Sequence, residues 1–317
     1  MENKWATEVN QETLILRNNL LIKLRAFFSE RNVLEVTTPT LGMAGASDPY
    51  LDNLTVLLGS KIGYLQTSPE YAMKRLVAGG SGPIYQVCPV YRGSELGANH
   101  NIEFTMLEWY RPQYTVEDLI CEVQELFQAI CGIQFQVITY KEIFENFCNV
   151  NAHIASIEDL RAFVCKKELD CSHLLGEEDL SDYLDLIFST LVEKHLEAAI
   201  VTDFPACQAA LAQIQPNEEG EMVALRFECF LGGLELANGY SELRNTKEIR
   251  ERFLQNNLYR RRRGLPLIPL DELAVTAMGK MDPCSGVAIG IDRLLMYLSG
   301  EKNITRVINF ARDHRQN

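Results

Sequence analysis

The side chains best suited to chemistry crowd into residues 90–110, VYRGSELGANHNIEFTMLEWY. Arg92 closes one apolar run, and Phe104 opens another that carries Glu108 and Tyr110. Between them Gly93, Ser94, Gly97, Asn99 and Asn101 make a turn-rich loop, so the pattern predicts two strands joined as a hairpin. Such a hairpin can gather a guanidinium, an aromatic face and carboxylates around one ligand. The ligand would need a phosphate for Arg92, a flat ring for Phe104 and an ammonium group for Glu108. ATP together with a lysine-like amino acid supplies all three, which makes the chain a candidate amino-acid-activating enzyme.

Other elements must hold that hairpin in place. Leu16, Leu20, Leu24, Phe27 and Phe28 recur at helical spacing over residues 12–31. Residues 33–36 then run towards Pro39, where a helix or a central strand cannot continue. Short strands are predicted at 64–67 and 84–91, flanking a helix from about 69 to 77. The GGSGP loop at 79–83 turns the chain but is no phosphate loop, since no Lys-Ser or Lys-Thr follows at the needed spacing. Residues 116–130 read as a helix. Residues from about 140 to 200 read as a charged helical insertion, with a stripe of Leu180, Leu184, Ile187, Phe188 and Leu191. Strand signals return at 199–201, 225–231 and 287–291, followed by a helix at 293–298. Without regular β-α-β alternation, the expectation is an α+β fold: a single domain over 1–317 around a mainly antiparallel sheet flanked by helices.

Charge narrows the partners. Thirty basic against 43 acidic residues leave a net −13, which repels nucleic-acid backbones and makes tRNA an unlikely partner. Nine scattered cysteines without a CxxC pair predict reduced, mostly buried thiols. Five dispersed histidines argue against zinc. Neither a signal pattern nor an apolar run of membrane-spanning length is present, so a cytoplasmic protein with no membrane association is expected. Against the acidic background stands Arg260, Arg261, Arg262 and Arg263. This run reads either as the solvated end of a helix before Gly264 and Pro266 or as a docking patch for an acidic macromolecule.

Three blocks, LEVTTP at 34–39, residues 92–110 and GVAIGIDR at 286–293, together resemble the three signatures of class II aminoacyl-tRNA synthetases. HNIEFTMLEWY and ELANGYSEL are similar to the lysyl branch. The resemblance implies ATP and Mg²⁺, with Arg92 and Arg293 as catalytic residues. Arg92 would grip the α-phosphate or the attacking carboxylate in two parallel bonds, and Arg293 would neutralise the outer phosphates. Phe104 would stack on adenine, His100 and Asn101 would hydrogen-bond the nucleotide, and Ser94, Glu235, Leu236 and Gly290 would complete the ATP site. Glu228 and Glu235 would hold Mg²⁺ from a bent or bulged strand pair. Ser68, Pro69, Glu70, Glu108, Tyr110, Asn238, Glu242 and Ala288 would line the amino-acid site. There Glu70 meets the amine beside the carboxylate, while Glu108, Tyr110 and Glu242 surround the distal ammonium. Buried glutamates select a doubly protonated substrate, because a neutral one leaves them unpaired.

The first signature begins within about forty residues of Met1, where lysyl-tRNA synthetases place an anticodon-binding β-barrel, so no such domain is expected. This layout is similar to the elongation factor P–(R)-β-lysine ligases, which implies elongation factor P as protein substrate, lysine or β-lysine as amino acid, and a homodimer built on the first signature. Those ligases carry alanine, like Ala288 here, where the tRNA enzymes usually have glycine. One methyl at a pocket wall is worth about 1–3 kcal/mol of discrimination. Ser94 departs from the usual Arg-x-Glu of the second signature and can offer adenine only a weaker neutral acceptor. Two rivals remain: a truncated lysyl-tRNA synthetase that charges tRNA, and a non-catalytic synthetase-like binding protein. Retention of Arg92, Arg293, Glu228 and Glu235 counts against the second.

Overall fold

Asn10 accepts the Thr13 amide and so caps the first helix, α1 (Gln11–Glu30), whose buried Leu20, Leu24, Phe27 and Phe28 follow the apolar spacing of the sequence. The computed structural model describes residues 6–93, 96–172, 174 and 179–311. The chain forms two compact units, Met1–Gly132 with Leu243–Asn317, and Ile133–Glu242. After α1 the first unit contains β1 (Leu34–Glu35), β2 (Leu41–Gly42), β3 (Thr55–Leu58), β4 (Lys61–Leu65), α2 (Glu70–Ala78), β5 (Ile84–Tyr91), β6 (Glu103–Pro112) and α3 (Val116–Cys131). The second contains β7 (Gln136–Thr139), α4 (Tyr140–Cys148), α5 (Ile157–Lys166), α6 (Leu180–Ile187), β8 (Ala198–Pro205), β9 (Ile214–Pro216), β10 (Met222–Leu231) and β11 (Leu234–Ser241). The first unit then resumes with α7 (Thr246–Arg262), α8 (Glu272–Met278), β12 (Cys284–Gly290) and α9 (Ile291–Ser299).

In the first unit the strand order is β1-β5-β6-β12, parallel only where β1 meets β5, and β2-β4-β3 form a small separate antiparallel sheet. The second unit orders its strands β7-β8-β10-β11, parallel only at β7/β8, with β9 also paired to β10. The fold is therefore α+β with mainly antiparallel strands. The hairpin predicted around the 92–104 loop is β5 and β6, in continuous register from Ile84↔Tyr110 to Tyr91↔Glu103.

Register decides which side chains share a face, because successive residues of a strand point to opposite sides. Gln86, Glu108 and Ala288 lie side by side across β5, β6 and β12, with Cys88, Met106 and Gly290 as the neighbouring row. The opposite face is filled by helices. Phe28 of α1 stacks on Tyr85 at 4.3 Å and meets Trp109 edge-on at 5.3 Å. Arg17 of α1 pairs with the buried Asp292 at the start of α9, whose other oxygen accepts the Thr105 amide at 2.6 Å. In the second unit, α4 packs through Tyr140 and Phe144, which stack on each other at 4.7 Å; Tyr140 also stacks on Phe188 at 5.2 Å. The helices expected at 140–200 are α4, α5 and α6, and they share their unit with five strands.

Two expectations need correction. Cys88, Cys148, Cys229 and Cys284 are buried, but Cys121, Cys165 and Cys207 are exposed, so the thiols are not mostly buried. These exposed cysteines lie on the outer faces of helices or at a helix edge, which a linear reading of apolar runs does not separate from the core. Arg260 is neither solvated nor available for docking. It is 2% exposed, and its guanidinium donates to the carbonyls of Pro266 (2.8 Å), Asp48 (2.8 Å) and Leu51 (3.1 Å). Arg261 and Arg262 are exposed, while Arg263 lies over the rings of Tyr259 and Tyr50. Among the described residues no helix is long and apolar enough to cross a membrane.

Because Arg260 satisfies three carbonyls at once, Arg260→Met is expected to lower unfolding free energy by about 3 kcal/mol, against less than about 0.5 for the exposed Arg261→Met. Urea unfolding of both variants measures the difference; equal midpoints would show that the 48–51 loop does not depend on this side chain.

Candidate functional site

The first unit brings Ser68, Pro69, Glu70, Glu108, Tyr110 and Ala288 towards one sheet face. Pro69 stands at the N-cap of α2, where its fixed backbone suits a helix start. Ser68 Oγ accepts the Glu70 amide at 3.0 Å and donates to Glu108 Oε2 at 2.6 Å. Tyr110, two residues along β6 and therefore on the same face, donates its hydroxyl to Glu108 Oε1 at 2.5 Å. Glu108 is 3% exposed. Burial pushes its carboxyl up to about 7, Glu70 adds to the rise, and the bonds from Ser68 and Tyr110 oppose it. Ala288 is the cross-strand neighbour of Glu108, and with Phe104 it packs against Cys88, Val90 and Met106.

Two residues of this face escaped the sequence reading. Lys74, one helical turn after Glu70, is 0% exposed and lies with Nζ 2.5 Å from Glu70 Oε1. The signal was the i, i+4 spacing in PEYAMK, which is ordinarily a surface pair. Gln86 is buried beside Glu108, and its Oε1 has no hydrogen-bond partner among the described residues. An unsatisfied buried acceptor is costly, and a donor on a ligand would relieve it.

Both arginines approach the loop between β5 and β6, Arg92 from within it and Arg293 from α9. Arg92 opens it, its amide bonded to the Ile102 carbonyl at 2.9 Å and its guanidinium 5.2 Å from the centre of the Phe104 ring. Gly93 follows with its amide on the Asp52 carbonyl, and a Cβ there would come within 2.8 Å of the Asp52 carboxylate. A side chain there would require the Asp52 carboxylate to move. Gly290 caps α9, and Arg293 in the first turn of α9 reaches the tip of the same loop. Its Nη2 is 2.5 Å from His100 Nε2, and its Nε is 3.4 Å from the Asn99 carbonyl. A guanidinium has only donors, so His100 accepts through Nε2. Asn101 is buried and spends its amide on the Glu103 carbonyl at 2.7 Å, shaping the loop. Ser94 and Glu95 lie outside the described residues.

The second unit gathers the remaining candidates on its β10–β11 hairpin. Glu228 faces Asn238 across the strands, with Nδ2 of Asn238 at 3.3 Å from Glu228 Oε1. Arg226, one step along the same face, donates to Glu228 Oε1 at 2.5 Å. Burial pushes the Glu228 carboxyl up; Arg226 pulls it down, and Glu235 adds to the rise. Leu236 is the extra residue of a bulge between the Ala237 and Glu235 pairings, and its side chain is buried. Glu242 follows β11, bridges Ala212 and is 1% exposed. Among the described residues no group of three or more His, Cys, Asp or Glu could hold a metal alone. Two mutually repelling carboxylates, Glu228 and Glu235, nevertheless fit Mg²⁺, which takes one or two protein carboxylates and completes its shell with water and phosphate oxygens.

Comparison with known proteins identifies the family. A family model for tRNA synthetases class II (D, K and N) matches residues 3–314. The chain is 40% identical over 321 residues to a protein of Avibacterium paragallinarum named elongation factor P–(R)-β-lysine ligase, covering 98% of each. It is 41% identical over 319 residues to a protein of the same name from Pseudoalteromonas translucida, covering 97% of this chain and 98% of the other. A third, from Salmonella dublin, is 40% identical over 321 residues and covers 98% of each. With the family match running almost from end to end, the chain belongs to the class II tRNA synthetases of the D, K and N type.

Proposed function

We propose that this protein, an ATP-dependent ligase by family, activates a lysine, with (R)-β-lysine preferred, as an aminoacyl-adenylate and transfers it to a lysine side chain of elongation factor P. The observation that carries the reading is the buried Glu108, joined through Ser68 to the partly accessible Glu70, on the sheet whose β5–β6 loop begins with Arg92 and is contacted by Arg293 of α9. The relatives' names support elongation factor P as acceptor.

In the first step a carboxylate oxygen of the amino acid attacks the α-phosphate in line and pyrophosphate leaves. Arg92 grips the reacting phosphate or carboxylate, and Arg293 neutralises the outer phosphates, so that catalysis comes from positioning and charge. Phe104 provides a face for adenine, with His100, Asn101, Leu236 and Gly290 around the nucleotide. Glu228 and Glu235 would hold Mg²⁺, whose charge offsets that of the phosphates. Glu70 receives the amine next to the carboxylate; Glu108, Tyr110 and Glu242 receive the distal ammonium, with Asn238 and Ala288 shaping the site. In the second step the neutral ε-amine of the acceptor lysine attacks the acyl carbon and AMP leaves.

The reaction is assigned to a single catalytic domain over 1–317 in a cytoplasmic homodimer. Exposed Ile15 and Ile22 on α1 and Leu34 in the first signature, 51%, 58% and 59% accessible, support a partner surface there. A tRNA-charging enzyme is the competing reading.

Intact-mass analysis of elongation factor P after incubation with the protein, ATP and each lysine isomer decides between them. The expected result is addition of one lysyl group, greatest with (R)-β-lysine. Charged tRNA beside unmodified elongation factor P would refute the proposal.

Ala288→Gly removes a methyl next to Glu108 and is expected to move the ratio of α- to β-lysine-dependent ATP–pyrophosphate exchange towards α-lysine by about tenfold. An unchanged ratio removes Ala288 from the specificity argument.

Glu108 must be ionised to hold an ammonium, and its carboxyl sits near about 7. Lysine affinity, read as 1/KM, should therefore fall as pH drops through that value, and Glu108→Gln should abolish the limb. Stability runs the other way. The folded state favours the neutral carboxyl, so between the ordinary 4.5 and about 7 the free protein should lose about 3 kcal/mol relative to Glu108→Gln as pH rises. Parallel pH-stability curves for the two proteins would contradict the shift.

A further inference from the structure

We propose that Lys74 is a positioning residue: it holds the Glu70 carboxylate in one orientation, and so determines whether the amine it accepts lies on the α or the β carbon. The inference rests on lysine activation as proposed above and adds a residue to its specificity.

Lys74 is a buried cation that the reaction scheme leaves unused. It lies on the site-facing side of α2, wholly shielded from solvent, between Met73 and the following turn that carries Val77. At such a position an aliphatic side chain would pack without penalty, whereas a buried ammonium costs several kcal/mol unless it is paired. Its Nζ lies 2.5 Å from Glu70 Oε1, and only 21% of the Glu70 side chain is accessible. An exposed pair at this spacing would contribute a few tenths of a kcal/mol. Burial makes the same pair costly to separate, which restrains the Glu70 carboxylate.

Two consequences follow for the substrate. With Oε1 held by Lys74 and the Glu70 amide held by Ser68, the carboxylate that an incoming amine meets is fixed in one orientation. Shifting the amine by one carbon moves it by about 1.5 Å. A hydrogen bond tolerates only about half an ångström, from roughly 2.7 to 3.2 Å, so a fixed acceptor discriminates where a rotating one would follow. The second consequence is electrostatic. Glu70 repels charge on Glu108, and Lys74 offsets that repulsion, so both carboxylates can be ionised when a dication arrives.

The test compares Lys74→Met, which removes the charge, with Lys74→Arg, which keeps it but bonds through a longer, forked head. ATP–pyrophosphate exchange is measured with α- and β-lysine across the titration range of Glu108. Lys74→Met is expected to raise KM for the preferred isomer by about tenfold with a smaller change in kcat, to narrow the isomer ratio, and to move the acid limb of 1/KM to higher pH. Lys74→Arg is expected to narrow the ratio while leaving the limb where it is. A folded Lys74→Met with the wild-type ratio and an unmoved limb overturns the proposal, whatever its melting temperature. Should that variant not fold, an unchanged ratio in Lys74→Arg overturns it. If wild-type protein supports exchange with neither isomer, the functional reading fails instead. Infrared titration of the Glu108 carboxyl in the unliganded protein then decides: a higher midpoint in Lys74→Met than in wild type or Lys74→Arg supports the role, and equal midpoints refute it.

Discussion

A carboxylate sealed inside a sheet face needs donors, and the arrangement of the first unit follows from meeting that need for Glu108. Two neutral hydroxyls, Ser68 and Tyr110, occupy its two oxygens. They hold the group without neutralising it, so an ammonium still gains by approaching. Ser68 can do this only because the chain turns into α2 at Pro69, which makes the serine hydroxyl a bridge between the helix's first amide and the strand's carboxylate. Tyr110 can do it only because it lies two residues along the same strand. The helix start and the strand register thus meet at one buried carboxyl group.

The reverse side of the sheet is closely packed. Phe28, Tyr85 and Trp109 interlock there, and Trp109 donates its indole N–H to the buried Glu122 of α3 at 3.0 Å. Asp292 joins α1, β6 and α9 through Arg17 and the Thr105 amide. The same short helix start that presents Arg293 to the 92–104 loop is therefore anchored to the sheet by the residue immediately before it. Asp292 points inwards and Arg293 outwards because consecutive residues at a helix start face about 100° apart. A single dipeptide supplies both the anchor and the catalytic candidate.

Much of this was legible in the sequence. The 84–91 strand has the same limits in the structure, and the hairpin around Arg92 and Phe104 could be read because turn residues separate two apolar runs. The segment of α7 was far harder to read. Along its seventeen residues only Ile249, Phe253 and Arg260 are buried, and one of those is a cation. Periodicity has almost nothing to report when a helix is fixed by polar contacts. Arg260 misled for the same reason: four consecutive arginines look alike on paper, and only the third dimension shows which one finds three carbonyls. Lys74 was hidden by the opposite error, since Glu and Lys four apart are usually solvated.

The β10–β11 hairpin shows where spacing alone stops being informative. Gly232 and Gly233, both with positive φ, make the tight turn that pairs Leu231 with Leu234 and therefore Phe230 with Glu235. Since Glu228 and Phe230 share a face, Glu235 joins Glu228 there by the turn alone. Strict alternation beyond that point would bring Ala237 to the same face. The extra residue, Leu236, reverses the parity, so that Asn238 stands opposite Glu228 and donates to it. The turn was visible as a Gly-Gly pair, but the bulge has no one-dimensional signature. A polar side chain that assists Glu228 thus owes its placement to a backbone irregularity, and the sequence records only the residue types that make the irregularity worthwhile.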